Sequence, residues 1–188
     1  MSTIVIVKKG GKAVIGADSL TTYGNTKESA EYVVNHHKIL SYKDNFIGIS
    51  GTATLQMAVK DFLGRKRKVV GLSKIEEIFR FGLELHRSLK EDYFLLPDDE
   101  DSFETFHGDL LIINKKGIFG LSSYKYVQEY SKFAANGSGA EFALGAMYAV
   151  YDNENLSARE VAETGVSAGA EFDDGSGFPL TFEELKLA

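Results

Sequence analysis

Four runs of apolar, β-branched residues limit what this chain can fold into. TIVIVK at 3–8 and KAVIGA at 12–17 flank Gly10-Gly11, and DLLIIN at 109–114 and GIFGLS at 117–122 flank Lys115-Lys116. Each pair reads as an antiparallel hairpin closed by a short turn. The stretches VIV and LLII show almost no polar alternation, so these strands are covered on both faces. A hairpin covered on both faces needs a second layer on each side, here helices on one and another sheet on the other.

The rest of the chain supplies those layers. A short strand fits Thr21–Tyr23 within the polar stretch 18–37, and a strand pair fits 38–42 and 45–50, turning at Lys43-Asp44. From Thr52 to about Leu63 the pattern becomes helical, with Leu55, Val59 and Phe62 on one face. Ser73-x-x-Glu76 reads as a capping box for a second helix, with Ile75, Ile78, Phe79, Gly82, Leu85 and Leu89 as its stripe. Strands fit 125–130 and 132–136, and Gly137-Ser138-Gly139 then opens a helix to about Tyr151. Ser157-x-x-Glu160 caps a fourth helix to about Gly169, followed by a last strand near 170–174 and a polar tail. Strands and helices are grouped rather than alternating, which predicts an α+β fold with two antiparallel sheets and a helix pair on each outer face. No repeat, low-complexity tract or linker interrupts the 188 residues, so one domain over 1–188 is expected.

Composition removes several functions. The chain has no cysteine, which excludes disulfides, thiolate nucleophiles and Cys-based metal sites. Its net charge of −6 argues against general nucleic-acid binding. No apolar run is long enough to span a bilayer and no signal peptide is evident, so the expectation is a cytoplasmic protein without membrane contact. Adjacent His36 and His37 in a strand would point to opposite sides, and no carboxylate cluster accompanies them; neither metal nor cofactor is expected. The basic run Arg65 to Lys68 reads as a solvated helix end and Asp98 to Asp101 as a solvated loop. Tyr124, Tyr126 and Phe142 read as core or subunit contacts rather than a ligand box.

The N-terminus carries the chemistry. Serine at position two is small enough that the initiator methionine is normally removed, leaving Ser2 with a free α-amine beside its own hydroxyl. Such an amine, with an unperturbed pKa of about 8, can act as general base for that hydroxyl without a histidine.

The stretch STIVIVKKGGKAVIGADSLTTYGNT resembles the start of the mature proteasome β-type subunits and of HslV, the bacterial proteasome-like peptidase. The spacing from Ser2 to Asp18 matches that from nucleophile to essential aspartate in the family. HHKILSYKDNFIGISGTA is similar to its lysine strand and glycine-containing strand end, NGSGAEFALGAMYAVYD to its Gly-Ser-Gly helix start, and LSAREVAETG and FEEL to the C-terminal region of HslV. The likeness runs over most of the chain.

It implies the four-layer α-β-β-α sandwich of N-terminal-nucleophile hydrolases and a self-compartmentalising peptidase. By position, Ser2 falls on the nucleophile, Asp18 on the aspartate that orients a lysine, and Lys38 on that lysine. Gly51 falls on the oxyanion-hole glycine and Ser138 on the serine near the amine. The substrate would lie as an added strand between Thr21–Thr22 and Gly48–Gly51, with Ile49 shaping an apolar specificity pocket. The implied partners are copies of the chain in stacked hexameric or heptameric rings, peptides or unfolded proteins as substrate, and an ATP-dependent unfoldase. The departures matter too. Serine replaces threonine, Gly51-Thr52 replaces a double glycine, and the 96–108 segment is longer and more acidic than in HslV. Gly165 and Ala168 stand where proteasome β subunits carry a further aspartate and serine, an absence shared with HslV. Two other functions fit the same residues: a ring that scaffolds without cleaving, and a small-molecule amidase of the same superfamily.

Overall fold

The computed structural model describes residues 1–65, 71–95 and 104–188. Of the two charged stretches singled out above, only Arg65 falls among them. In chain order the described residues form β1 (Ile4–Lys9), β2 (Lys12–Ala17), β3 (Thr21–Tyr23), β4 (Thr26–Glu28), β5 (Ile39–Tyr42), β6 (Asn45–Ser50), α1 (Ala53–Arg65) and α2 (Ile75–Glu91). There follow β7 (Asp109–Asn114), β8 (Gly117–Leu121), β9 (Val127–Tyr130), β10 (Phe133–Asn136), α3 (Ala140–Val150), α4 (Ala158–Phe172) and β11 (Thr181–Lys186).

The strands make two stacked antiparallel sheets, in the orders β10-β1-β2-β11 and β5-β6-β7-β8-β9, plus the small β3-β4 hairpin. Both predicted hairpins are present. Gly10 and Gly11 take φ of 58° and 71°, the two positive values that a tight turn matching strand twist requires. At the other turn the Asn114 carboxamide oxygen accepts from the backbone N–H of Lys116 and Gly117.

Alternate residues along the inner strands enter different layers. Ile4, Ile6 and Ile15 meet Leu111, Ile113 and Ile118 of the second sheet. Val5, Val7 and Val14 face the other way, onto Met147, Val161 and Val166 of α3 and α4. On the far side Ile47, Leu110 and Ile112 pack under Val59, Phe81 and Leu85 of α1 and α2. The order is therefore helix pair, sheet, sheet, helix pair, as expected. The inner strands β1, β2, β7 and β8 are buried on both faces, which is why their sequence lacks alternation.

Three local expectations are corrected. Ser73 does not cap α2: Lys74 is the N-cap, it makes no side-chain cap bond, and the Glu77 carboxylate reaches back to the Ser73 N–H. The α2 stripe turns onto Phe81, leaving Ile75 and Phe79 exposed. No strand forms at 170–174. Helix α4 continues through good helix formers to Phe172, and the last strand is β11, held on β2 from Thr181↔Ala17 to Lys186↔Lys12. The Ser157–Glu160 capping box is formed.

Candidate active site

Strand register gathers the site. Ile4 lies opposite Ala17 on one side of β1 and opposite Asn136 on the other. One step further out, residues 2 and 3 must then meet Asp18 and the Gly137–Gly139 turn. The Thr3 N–H donates to Asp18 Oδ1 at 2.9 Å, and the Asp18 N–H donates to the Thr3 carbonyl at 3.1 Å. On the other flank, the Gly139 N–H donates to the Ser2 carbonyl at 3.2 Å. Gly137 has φ 95°, and a Cβ there would lie 2.0 Å from that carbonyl oxygen, so the turn closes on Ser2 only as glycine.

Asp18 is wholly buried and accepts four hydrogen bonds. Besides the Thr3 N–H, the Leu20 and Gly177 N–H groups donate to Oδ2 at 3.0 Å each. The Lys38 ammonium donates to Oδ1 at 2.8 Å. Lys38 arrives from the start of β5, where its carbonyl accepts the Ile49 N–H at 3.2 Å. Burial pushes the Lys38 ammonium below the ordinary lysine value, while the Asp18 carboxylate and then Asp173 pull it back up.

The reactive geometry centres on the carbonyl preceding Ser2. The Met1 carbonyl oxygen accepts the Ser2 hydroxyl at 2.5 Å and the Lys38 ammonium at 3.5 Å. The hydroxyl and the ammonium thus converge on one carbonyl. The Ser2 N–H donates to Ser138 Oγ at 3.2 Å. Ser2, Asp18, Lys38 and Ser138 are brought together. Gly51 follows β6 with φ 139°, a conformation that L side chains rarely adopt. It lines the same groove as Ser2, with Thr21 and Thr22 of β3 along the groove as well.

Ile49 does not belong to that groove. Its side chain is fully buried beneath α1 and α2 beside Leu55, because β6 alternates and that face is turned to the helices. Gln56 and Met57 of α1 line the groove instead, and Gln56 Nε2 donates to the Ile49 carbonyl. His36 and His37 do not lie in a strand, and their rings lie 4.3 Å apart, tilted by 37°, along the groove. Tyr124, Tyr126 and Phe142 are exposed, so none is a core residue.

Two polar residues escaped the sequence reading. Just past α4, Asp173 Oδ2 accepts from Ser138 Oγ at 2.7 Å and from Ser176 Oγ at 2.6 Å. This aspartate and serine, three apart, reach the site where Gly165 and Ala168 were expected to stand. Gly165 instead lies within α4, where a Cβ would come 2.6 Å from Met147 Cγ; it is a packing glycine between α3 and α4. The signal in the sequence is Asp173-Asp174-Gly175-Ser176, which runs across the end of the strand expected near 170–174 and the start of the polar tail.

No family model matches the chain. Over 98% of its length it is 28% identical to the ATP-dependent protease subunit HslV of Pseudothermotoga lettingae, covering 97% of that protein. Among solved structures, Thiobacillus denitrificans BPH is 44% identical with a TM-score of 0.95, over 99% of this chain and 98% of that one. The same protein in complex with epoxomicin is 42% identical with a TM-score of 0.94, over 99% of each chain. HslV from Trypanosoma brucei, at 20% identity and a TM-score of 0.69 over 98% of this chain and 99% of that one, shares the fold.

Proposed function

Because the chain belongs to the HslV-like, proteasome β-type family of N-terminal-nucleophile peptidases, we propose that it hydrolyses peptide bonds with Ser2 as nucleophile once the residue before it is removed. The observation that carries this reading is the convergence of the Ser2 hydroxyl and the Lys38 ammonium on a single carbonyl. An acyl transfer needs a hydroxyl beside the reacting carbonyl and a positive charge near its oxygen.

In the proposed reaction the free Ser2 amine takes the proton from the Ser2 hydroxyl as oxygen attacks the substrate carbonyl. The proton passes to the leaving amine, an ester remains on Ser2, and water hydrolyses it with the same amine as base. Lys38, held charged and in place by Asp18, lowers the cost of the developing alkoxide. The Gly51 N–H serves the oxyanion, where one backbone donor contributes about 3–4 kcal/mol. Ser138 orients the amine. The peptide lies extended beside Thr21 and Thr22. The catalytic domain spans 1–188 and assembles as stacked rings around an enclosed chamber in the cytoplasm. Two partners follow from the HslV likeness: an unfolded polypeptide as substrate and an ATP-dependent unfoldase to deliver it.

Intact-mass spectrometry before and after epoxomicin, a peptide epoxyketone, tests the proposal. The reagent closes a ring only with a hydroxyl and a free amine on one terminal residue. Loss of Met1 and an adduct on Ser2, abolished in Ser2→Ala, is the expected result. Loss of Met1 with neither adduct nor peptide turnover overturns it and leaves a scaffolding chamber. Turnover of small amides by a species that forms no ring moves the assignment to the amidases.

A further inference from the structure

The hydrogen bonds around Asp173 have only one consistent polarity. Ser138 Oγ and Ser176 Oγ both point at Asp173 Oδ2, and a carboxylate only accepts. Each serine therefore spends its single proton there and offers lone pairs to its other neighbour. For Ser138 that neighbour is the Ser2 N–H. For Ser176 it is Thr3 Oγ1, 2.7 Å away. The Thr3 hydroxyl is thus the donor of that pair. The chain runs from Thr3 through Ser176 into Asp173, and from Ser2 N through Ser138 into the same oxygen.

We infer that Thr3 is a positioning residue for the neighbouring nucleophile: its hydroxyl proton locks Ser176 and Asp173 in the orientation that obliges the Ser2 amine to donate to Ser138. An amine so engaged keeps its lone pair for the Ser2 hydroxyl. This inference rests on the nucleophile reading above.

A second observation points the same way. Thr3 is completely buried. A Cβ on Gly139 would lie 2.0 Å from Thr3 Oγ1, and one on Gly169 would lie 2.2 Å from it. Asp18 grips the Thr3 backbone through both its N–H and its carbonyl. Two glycines from separate elements thus clear room for one hydroxyl, aimed at Ser176. Valine keeps the volume of threonine and lacks the proton. It would leave Ser176 free to turn its own proton away from Asp173.

The test uses the full chain, with loss of Met1 verified by mass, as wild type, Thr3→Val and Thr3→Ser. The maximal rate of adduct formation with epoxomicin is read against its half-saturating concentration and against pH. In Thr3→Val the maximal rate falls about tenfold, half-saturation stays within about twofold, and the pH profile shifts, while Thr3→Ser recovers most of the rate. A Thr3→Val protein with the wild-type rate and pH profile, whatever its melting temperature, overturns the inference and makes Thr3 a packing residue. If Thr3→Val does not fold, Ser176→Ala removes the same link from the other side and must show the same rate loss. If wild type forms no adduct, the nucleophile reading fails separately. The network is then read from the pH dependence of reductive methylation of the Ser2 amine. A shift in Thr3→Val but not in Thr3→Ser supports the inference, and an unshifted curve overturns it.

Discussion

Replacing Asp18 by asparagine tests the centre of the site. The side chain is buried and accepts four donors, one of them the Lys38 ammonium at 2.8 Å. Asparagine keeps the shape but brings two protons of its own, so one pair of donors loses its acceptor. Lys38, only 6% exposed, is left without its carboxylate. Breaking one partner of such a buried pair costs about 3–5 kcal/mol. With a urea slope of about 2 kcal/mol per molar, the midpoint moves down by about 2 M. The assay is urea unfolding at fixed protomer concentration, with adduct formation by epoxomicin read in parallel.

The sign of the pH effect follows from Lys38, which burial already holds below the ordinary lysine value of 10.5. Between its folded value and that value the unfolded chain binds more protons, so stability rises with pH across that window. Without Asp18 the folded value falls further and the window widens downward. The Asp18→Asn deficit is therefore smaller at pH 9 than at pH 7. Adding Lys38→Met removes the stranded charge and restores part of the loss. An Asp18→Asn protein within 1 kcal/mol of wild type, or a double variant worse than the sum of the singles, would refute the reasoning.

Gly48→Ala places a Cβ 2.6 Å from Ile4 Cγ2 between the two sheets, and loses about 1–3 kcal/mol by urea unfolding. Gly145→Ala, on the solvent side of α3 with nothing within 4 Å, gains about 0.5–1 kcal/mol in the same assay. Ser157→Ala removes the capping box of α4 and lowers stability by about 1 kcal/mol, a drop of about 2–4 °C in Tm. Lys90, and then His86, hold the Glu104 carboxyl down at about 2 against an ordinary 4.5. Their contribution is complete above pH 4.5 and is lost as pH falls through about 2, so Glu104→Gln flattens the acid limb of a Tm-against-pH curve.

The layers were legible because burial on both faces leaves a mark that survives without any structure: VIV and LLII cannot sit on a wet surface. β11 was not legible. It is an edge strand whose FEELK pattern carries three charges, and what makes it a strand is a partner at the other end of the sequence. The capping box at Ser157 formed and the similar one at Ser73 did not, since there the Glu77 carboxylate took the Ser73 N–H. The resemblance, followed position by position, singled out Ser2, Asp18, Lys38 and Ser138, which the structure brings together. It misplaced Ile49, because its position on β6 says nothing about which face the helices cover. Asp173 and Ser176 were missed because they were sought inside α4, while the chain delivers them only after the helix has ended.

The first strand lies in the interior of its sheet, between β2 and β10. Its β10 register runs from Ile4↔Asn136 to Val7↔Phe133, and Asp173 lies further still along the chain. A ribosome must therefore have released the chain at least through Asp173 before residue 2 has walls around it. Fragments that stop short of Asp173 hold the serine without the network proposed around it. Such long-range closure makes for slow folding. The proposed nucleophile therefore stays idle until segments more than a hundred residues downstream have been made and docked.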